Sequence, residues 1–294
     1  MDCLTLDIGG TKTAAAWWHG SELLLRREVP TPGDAEALLA VLSRLLQDAP
    51  AVQVAGAAIT GTTDGRRVGV LNHHMIAGWD GLPLAERLEQ LLGVPVLLLN
   101  DAQAAAWGEY CARDDGLRDL MFVTVSTGIG AGVVLDGRLR SGRSGLAGHL
   151  GHVGGGIARV SAGAQCSCGR GACLERRASG SAMAHDLAAL GLGTRSAREW
   201  MAPPHQDHPA VQDWLDAATQ ALVHSIADAH ALLDLQAVLI GGGLGLHPRF
   251  LQGVQAGMAA LPPRFRIPVQ AARLGPDAGL RGMASWLRAG SDAG

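Results

Sequence analysis

Short apolar runs in the chain alternate with glycine turns and amphipathic segments. Residues 3–8 form one apolar run that stops at Gly9-Gly10, and residues 13–18 form a second run. Apolar runs of this length on either side of a glycine pair predict two strands joined as a hairpin. Further strands are predicted at 23–29, 52–59 and 94–99.

Leucines recur at helical spacing after the third of these strands, and they predict a helix over residues 35–47. Helices are also predicted at 82–92 and 102–111, and Asn100-Asp101 precedes the latter, at the end of a buried strand. Polar residues then interrupt the pattern. We therefore expect a first lobe over residues 1–115.

The opening pattern recurs in the second half of the chain. A strand predicted at 120–126 runs into Thr127-Gly128-Ile129-Gly130 and continues as residues 131–135. Two openings of this kind predict lobes of related topology with a ligand cleft between them, the second lobe covering residues 116–294. The remaining elements predicted in it are helices at 180–190 and 210–233, a strand at 237–240 ending in three glycines, and a terminal helix at about 277–290 that is expected to pack back on the first lobe.

Composition narrows the class of protein. Among 294 residues 48% are hydrophobic and 17% charged, which is typical of a packed globular chain, and the formal net charge is −3. Since no basic run is present, we expect a small-molecule partner, and neither nucleic acid nor a membrane. The N-terminus has no secretion signal pattern, so a cytoplasmic location is predicted, where the five cysteines should not form disulfides.

The turn Asp7-Ile8-Gly9-Gly10-Thr11-Lys12 has the chemistry of a phosphate site. Glycines let backbone N–H groups approach an anion, Thr11 adds a hydroxyl and Lys12 a positive charge, while Asp7 could hold the water shell of Mg²⁺. An ordinary hairpin turn is the alternative. The turn at Thr127–Gly132 repeats the pattern, and Gly242-Gly243 leaves room for adenine or ribose, so the three turns together favour a nucleotide.

Asn100-Asp101 occupies the place where a catalytic carboxylate would face a ligand. Asp101 would accept the proton of an attacking sugar hydroxyl, and Asn100 would orient the sugar. The alternative is simple capping of the following helix, for which Asn and Asp are both suited.

His152, Cys166, Cys168 and Cys173 carry the most specific pattern in the chain. Three thiolates and one imidazole form the ligand set of a closed, tetrahedral zinc site, which has no position for a reactive water. We therefore expect zinc to shape this loop, with unmetallated buried thiols as the alternative. Zinc would also fix the direction of Glu175, two residues after the last cysteine, although that glutamate could equally be a surface residue.

The segments DIGGTK, VSTGIGAG, AGHLGH and CSCGRGACLE resemble those of the ROK family of bacterial repressors and sugar kinases. The resemblance covers essentially the whole chain. It implies an α/β fold of two actin-like ATPase (ribonuclease H-like) lobes with a zinc-binding loop, usually as a homodimer. The activity it implies is transfer of phosphate from ATP to the C6 hydroxyl of a hexose or amino sugar.

The resemblance also implies roles for individual residues. Asp101 would be the catalytic base, and the sugar would contact Asn100, His152, Glu175 and, on weaker grounds, Gly61 and His149. The implied ATP positions are Thr5, Leu6, Asp7, Ile8, Gly9, Gly10, Thr11 and Lys12 in the first lobe, and Thr127, Gly128, Ile129, Gly130, Ala131, Gly132, Val133, Val134, Leu135, Gly242 and Gly243 in the second.

One departure bears on the substrate. Many members of the family carry glutamate three residues before the zinc histidine, where this chain has His149. A neutral imidazole cannot accept two hydrogen bonds as a carboxylate does. The resemblance therefore favours N-acetylmannosamine over glucose as the acceptor, with glucokinase or N-acetylglucosamine kinase activity as the alternatives.

A sugar-sensing repressor is the alternative from another class of protein. Repressors of this family carry an N-terminal helix-turn-helix, for which the position of Asp7 leaves no room here. A sugar-binding module without catalysis is a further alternative, but it would leave the phosphate turns and Asp101 without a role.

Overall fold

The computed structural model describes residues 1–71, 76–154 and 166–291, which fall into two compact units. The first unit comprises residues 1–113, 139–147 and the chain from residue 276 onward. The second comprises residues 114–138 and 148–275. The terminal segment thus belongs to the same compact unit as the start of the chain.

The sheet of the first unit consists of β3 (Glu22–Pro30), β2 (Lys12–His19), β1 (Asp2–Ile8), β4 (Val54–Ile59) and β7 (Val96–Asn100), in that order. Strands β1, β2 and β3 pair antiparallel, whereas β1, β4 and β7 pair parallel. The predicted hairpin of residues 3–8 and 13–18 is confirmed by this pairing. The elements of this part of the chain are β1 (Asp2–Ile8), β2 (Lys12–His19), β3 (Glu22–Pro30), α1 (Ala35–Leu45), β4 (Val54–Ile59), β5 (Thr62–Thr63), β6 (Val68–Gly69), α2 (Leu84–Leu92), β7 (Val96–Asn100) and α3 (Asp101–Cys111).

Strand β1 is buried on both faces of this sheet. Leu4, Leu6 and Ile8 alternate along one face and belong to the same apolar core as leucines of α1 and α2. On the opposite face the buried Thr5 hydroxyl accepts a hydrogen bond of 2.8 Å from the Trp18 indole. Burial on both faces explains why the strand is a continuous apolar run.

The strands of the second unit, β9 (Ile129–Leu135), β8 (Leu120–Val125), β11 (Ala237–Gly241) and β12 (Val269–Ala271), are neighbours in that order and repeat the topology of β2, β1, β4 and β7. β8 and β9 pair antiparallel, and β8, β11 and β12 pair parallel. The next elements along the chain are β8 (Leu120–Val125), β9 (Ile129–Leu135), β10 (Arg138–Arg140), α4 (Glu175–Ala178), α5 (Gly180–Ala189), α6 (Ala197–Trp200), α7 (Pro209–Leu233), β11 (Ala237–Gly241), α8 (Pro248–Ala260), β12 (Val269–Ala271) and, in the first unit, α9 (Ala278–Ser291).

Helix α8 is absent from the sequence prediction, although its buried residues Phe250, Val254 and Met258 follow helical spacing. Pro248 occupies its first turn, where the missing N–H of proline costs nothing. Within the described residues, no helix combines the length and the apolar character needed to cross a membrane.

The carboxyl ends of the parallel strands in the first unit are in register. Ile8 of β1 pairs with Ile59 of β4, and Ile59 pairs with Asn100 of β7. The residues that follow these strands therefore meet at one edge of the sheet. This register brings the turn after β1, the segment Thr60-Gly61 and the start of α3 to the same edge.

Helices α3 and α9 cross at a point where only glycine fits. A Cβ atom on Gly282 would overlap the carbonyl oxygen of Ala104, and one on Gly108 would lie 2.8 Å from the carbonyl oxygen of Ala278. The backbones of the two helices thus approach each other without intervening side chains. This close crossing fixes α3, and with it the residues at the start of α3.

We predict that Gly282→Ala lowers the free energy of unfolding by about 1–3 kcal/mol, because the added methyl group forces the two backbones apart. Gly290→Ala is the matched control in the same helix, since a Cβ there has no heavy atom within 4 Å. That change should be neutral or stabilising, because alanine is the better helix former. Urea unfolding of both variants tests the prediction, and equal stabilities would contradict it.

Candidate active site

Asn100 holds the start of helix α3 through three hydrogen bonds. Its Oδ1 accepts from the backbone N–H of Gln103 at 3.0 Å, and its Nδ2 donates to the carbonyl of Gly61 at 2.8 Å and to Oδ1 of Asp101 at 2.9 Å. Asn100 is therefore the N-cap residue, and Asp101 is the first residue of the helix. Capping of α3 is thus performed by Asn100, which leaves the carboxyl group of Asp101 available for chemistry.

The Asp101 carboxyl group is fixed in direction and electrostatically strained. Its Oδ1 accepts a hydrogen bond of 2.7 Å from the backbone N–H of Ala102, in addition to that from Asn100. Burial raises the pKa of Asp101 to about 6, although both hydrogen bonds act in the opposite direction. A carboxylate whose pKa lies near neutral pH is suited to accept a proton.

A second carboxyl group, that of Asp7 at the end of β1, lies at the same sheet edge. Burial and the nearby charge of Asp101 raise the pKa of Asp7 to about 7, and Lys12 partly offsets them. Asp7 also lies against the first turn of α9, where a Cβ on Gly279 would be 2.9 Å from Oδ2 of Asp7. The structure thus brings together Asp7, Gly61, Asn100 and Asp101 at one edge of the sheet.

The turn after β1 is held from one side by Thr31, a residue that the sequence patterns did not indicate. Its hydroxyl donates to the carbonyl of Gly9 at 2.8 Å, and its N–H donates to the carbonyl of Thr11 at 3.0 Å. In the part of the chain that is described, the backbone N–H groups of Gly10 and Thr11 have no acceptor. Those two amides are therefore available as donors to an anion.

Several of the predicted nucleotide positions lie inside the two sheets. Thr5, Leu6 and Ile8 in β1 are fully buried, as are Ala131, Val133 and Val134 in β9. Their side chains pack in the protein interior, so these positions could meet a nucleotide only through their backbone atoms. They form the strands that support the two glycine turns.

The exposed Lys12 ammonium lies 3.3 Å from Oε2 of Glu28, which in turn accepts from Arg26 at 2.6 Å. Exposed ion pairs of this kind contribute about 0–1 kcal/mol, so the pairing leaves Lys12 free to exchange partners.

In the second unit, Glu175 contacts the glycine turn after β8. Its Oε2 accepts a hydrogen bond of 2.9 Å from the backbone N–H of Ile129, and a Cβ on Gly128 would lie 2.6 Å from the same oxygen. The Ile129 amide, one of the predicted nucleotide contacts, is therefore already occupied. Glu175 lies two residues after the last cysteine of the cluster in the sequence, but no local pattern indicates this hydrogen bond.

Two further segments of the second unit fix the same turn. The N–H groups of Gly180 and Ser181 at the start of α5 donate to the carbonyls of Ser126 and Thr127, at 2.7 and 3.0 Å. Gly242 has a φ of +84°, and a Cβ there would overlap the carbonyl oxygen of Val125. The fold thus brings the predicted nucleotide segments 127–130 and 242–243 together at the end of β8.

His152, Cys166, Cys168 and Cys173 come together as predicted, with one ligand atom from each lying within 4.8 Å of all the others. Nδ1 of His152 is 3.6 Å from Sγ of Cys166, and the Sγ atoms of Cys168 and Cys173 are 3.5 Å apart. In a tetrahedral zinc site with bonds of about 2.0–2.3 Å, ligand atoms are separated by similar distances. The four residues therefore fit a metal ion of this kind.

His149 lies next to this cluster along a short helical turn. The imidazole rings of His149 and His152 are nearly parallel, with their centroids 6.3 Å apart. Gly151, between them, packs against β9 so closely that a Cβ would overlap the carbonyl oxygen of Ile129. The pair His73 and His74, which the sequence left ambiguous, lies outside the described residues.

One sheet topology repeated in two units, with a strand-end aspartate and glycine turns, gives the chain the α/β fold of the actin-like phosphotransferases. Residues 3–289 match the profile of the ROK family, so the chain belongs to the ROK family.

Known relatives agree with this assignment. The chain is 41% identical to an N-acetylmannosamine kinase of Salmonella typhi over 295 aligned positions, which cover 97% of each chain. The structure of a ROK family glucokinase from Streptomyces griseus in complex with glucose and AMPPNP superposes with a TM-score of 0.81 at 30% identity, covering 98% of this chain and 100% of that one. A ROK hexokinase from Thermus thermophilus gives 0.79 at 30% identity, covering 99% and 100%.

We predict that the hydrogen bond between Glu175 and Ile129 stabilises the second glycine turn. Glu175→Ala should lower the free energy of unfolding by about 1–3 kcal/mol, because a buried N–H loses a charged acceptor. It should also speed amide exchange at Ile129. Glu175→Gln is the matched control, since its side-chain oxygen can still accept the bond, and its effects should be clearly smaller.

Hydrogen exchange read at Ile129 and urea unfolding measure these effects. Chelation of a metal from the four-ligand cluster should also speed exchange at Ile129, since Glu175 lies two residues after Cys173. Unchanged exchange at Ile129 in Glu175→Ala would contradict the prediction.

Proposed function

We propose that the protein transfers the γ-phosphoryl group of ATP to the C6 hydroxyl of N-acetylmannosamine, giving the 6-phosphate and ADP. The observation that carries the proposal is the Asp101 carboxylate, which two hydrogen bonds orient and burial brings to a pKa of about 6. The choice of sugar is supported by the 41% identity to N-acetylmannosamine kinases over nearly the whole chain.

In the proposed reaction, the oxygen of the C6 hydroxyl bonds to the γ-phosphorus while Asp101 accepts the proton of that hydroxyl. The bond between that phosphorus and the bridging oxygen breaks, and ADP leaves with the electron pair. Asn100 holds Asp101 through the hydrogen bond to Oδ1 and keeps the carboxylate pointing in one direction. A proton acceptor of this kind contributes roughly 10²–10⁴-fold to a rate.

The residues of the turn after β1 would bind the phosphates. The free N–H groups of Gly10 and Thr11, together with Lys12, supply donors and positive charge for an anion. Asp7 would hold Mg²⁺ through its water shell, and such an ion neutralises charge on the phosphates when bound. The pKa of Asp7, raised to about 7, fits a carboxylate that gains from a nearby cation.

For the sugar we propose Asn100, Gly61, His149, His152 and Glu175 as ligands. The Gly61 carbonyl accepts a hydrogen bond from Asn100 and so orients it, and its second lone pair would accept from a sugar hydroxyl. His149 offers an imidazole where many family members carry a carboxylate, which supports an amino sugar over glucose.

We assign the cluster of His152, Cys166, Cys168 and Cys173 to structural zinc. Three thiolates and one imidazole complete a tetrahedral shell, so this ion would shape the loop and take no part in the transfer. We also propose a cytoplasmic location, where thiolates stay reduced, and a homodimer, as is usual for the family.

A coupled ADP-release assay over a panel of sugars tests the proposed activity. We expect the highest kcat/KM with N-acetylmannosamine, at least about tenfold above glucose and N-acetylglucosamine, as one misplaced polar contact is worth that much. Mass analysis of the product should show one added phosphate, and periodate sensitivity should place it at C6.

Two results of this assay would reject parts of the proposal. A higher kcat/KM for glucose or N-acetylglucosamine would reject the choice of sugar. If the protein binds a sugar but releases ADP with none of the sugars tested, kinase activity would be rejected. That result would favour the alternative of a sugar-sensing regulator.

The proton-accepting role of Asp101 predicts a pH dependence. In the wild type, kcat/KM should fall as the pH drops through about 6, because the folded carboxyl group then takes up its proton. Asp101→Asn should lower kcat by about 10²-fold or more and abolish that dependence, while sugar affinity changes little.

Stability provides the control for this variant. Since the unfolded chain has an aspartate pKa of about 4, the folded chain binds the proton more tightly, and ionisation of Asp101 costs stability as the pH rises through about 6. Asp101→Asn should therefore melt at pH 8 no lower than the wild type. Turnover of a well-folded Asp101→Asn variant within a few-fold of the wild type would exclude the role.

A further inference from the structure

Gln103 is a fully buried polar residue at the start of helix α3, two positions after Asp101. Its backbone N–H donates the capping hydrogen bond to Oδ1 of Asn100. Within the described residues the Oε1 atom of Gln103 is buried with no hydrogen-bond partner, so the amide nitrogen makes all of the hydrogen bonds of this side chain. The partners of this side chain therefore indicate what it does.

The side-chain amide nitrogen of Gln103 donates to one short segment, residues 141–147. Nε2 lies 2.9 Å from the carbonyl oxygen of Ala147, 3.1 Å from that of Gly145 and 3.4 Å from that of Ser141. Carbonyl oxygens can only accept, so the group that faces them must be the NH₂. Two N–H groups thus serve three acceptors on the same loop.

The same segment is fixed from another direction by strand β5. Gly145 has a φ of +73° and is buried against Thr63 so closely that a Cβ would overlap the Thr63 carbonyl oxygen. The N–H of Ala147 donates to the carbonyl of Ser141 at 3.2 Å and closes the loop on itself. The loop is therefore clamped between β5 and Gln103.

These contacts form a closed ring around the start of α3. Asn100 bonds to Gly61, which β5 follows directly, and Thr63 at the end of β5 packs on Gly145. The Gly145 carbonyl accepts a hydrogen bond from the Gln103 side chain, and the backbone N–H of Gln103 donates to Oδ1 of Asn100, which closes the ring. Asp101 and Ala102 are the two residues between Asn100 and Gln103 within this ring.

We propose that Gln103 is a positioning residue for sugar binding, which it serves by clamping residues 141–147 to the start of α3. The inference rests on the proposed function. Along the chain the clamped loop leads directly to His149 and His152, the proposed sugar ligands. Loss of the clamp therefore misplaces ligands of the sugar, whereas Asn100 still holds Asp101 and the turn after β1 keeps its own hydrogen bonds.

The test is a split between kinetic constants in Gln103→Met, which keeps the length of the side chain but removes its donors. The KM for the sugar should rise about tenfold or more, because three carbonyls lose their partner, while kcat and the KM for ATP stay within about threefold. Gln103→Asn keeps the amide on a side chain shorter by one methylene and should give an intermediate KM. Gln255→Met is the control, since Gln255 donates to one carbonyl on the exposed surface of the other unit.

Hydrogen exchange gives a readout that does not depend on activity. The amide of Ala147 should exchange faster in Gln103→Met than in the wild type, and that of Ile129, in the second unit, should not. If Gln103→Met fails to fold, the same measurements on Gln103→Asn decide the question.

An unchanged sugar KM, an equal rise in the KM for ATP, or a fall in kcat alone would each overturn the inference. Those results require a wild type that phosphorylates a sugar, so they count against Gln103 and not against the proposed function. A wild type that phosphorylates none of the sugars would count against the proposed function instead.

Discussion

The candidate site of the first unit depends on the carboxyl group of Asp101, whose ionisation is opposed by burial. In the proposed reaction Asp101 must be ionised to accept a proton, yet its surroundings raise its pKa to about 6, and the pKa of Asp7 at the same sheet edge is raised to about 7. The fold tolerates this arrangement because backbone and amide donors are aimed at Asp101 and because the crossing of α3 and α9 fixes the helix that carries it. Functional carboxylates commonly reduce stability in this way, and the surrounding packing offsets the loss.

The features that sequence alone predicts are those carried by neighbouring residues. Asn100-Asp101 follows a buried strand directly, and the cysteine cluster is contained in a few residues plus one histidine, so spacing was sufficient for both. The hairpin of β1 and β2 likewise needs only the local apolar pattern and two glycines. For all of these features, the structure supplies the distances between atoms, and the residues involved are the same ones that the sequence indicates.

The remaining contacts join residues that the chain separates widely, and no local pattern indicates them. Gln103 meets residues 141–147, Thr31 meets Gly9, and Glu175 meets Ile129, each because the sheet topology brings two loops to one edge. Helix α9 is a larger example of the same effect. Its apolar spacing predicts a helix, but only the glycines at 108 and 282, considered together, explain how closely it crosses α3.

The two glycine turns share a topology but differ in their electrostatics. Thr31 holds the first turn through a carbonyl and so leaves the amides of Gly10 and Thr11 for an anion, whereas Glu175 holds the second turn through an amide and places a carboxylate beside it. Phosphate and carboxylate repel each other, but a carboxylate readily accepts from sugar hydroxyls. The first turn is therefore the better phosphate site. The second turn is better suited to a hydroxyl-bearing ligand. One oxygen of Glu175 accepts the hydrogen bond from Ile129, and the carboxylate can still accept further hydrogen bonds from such a ligand.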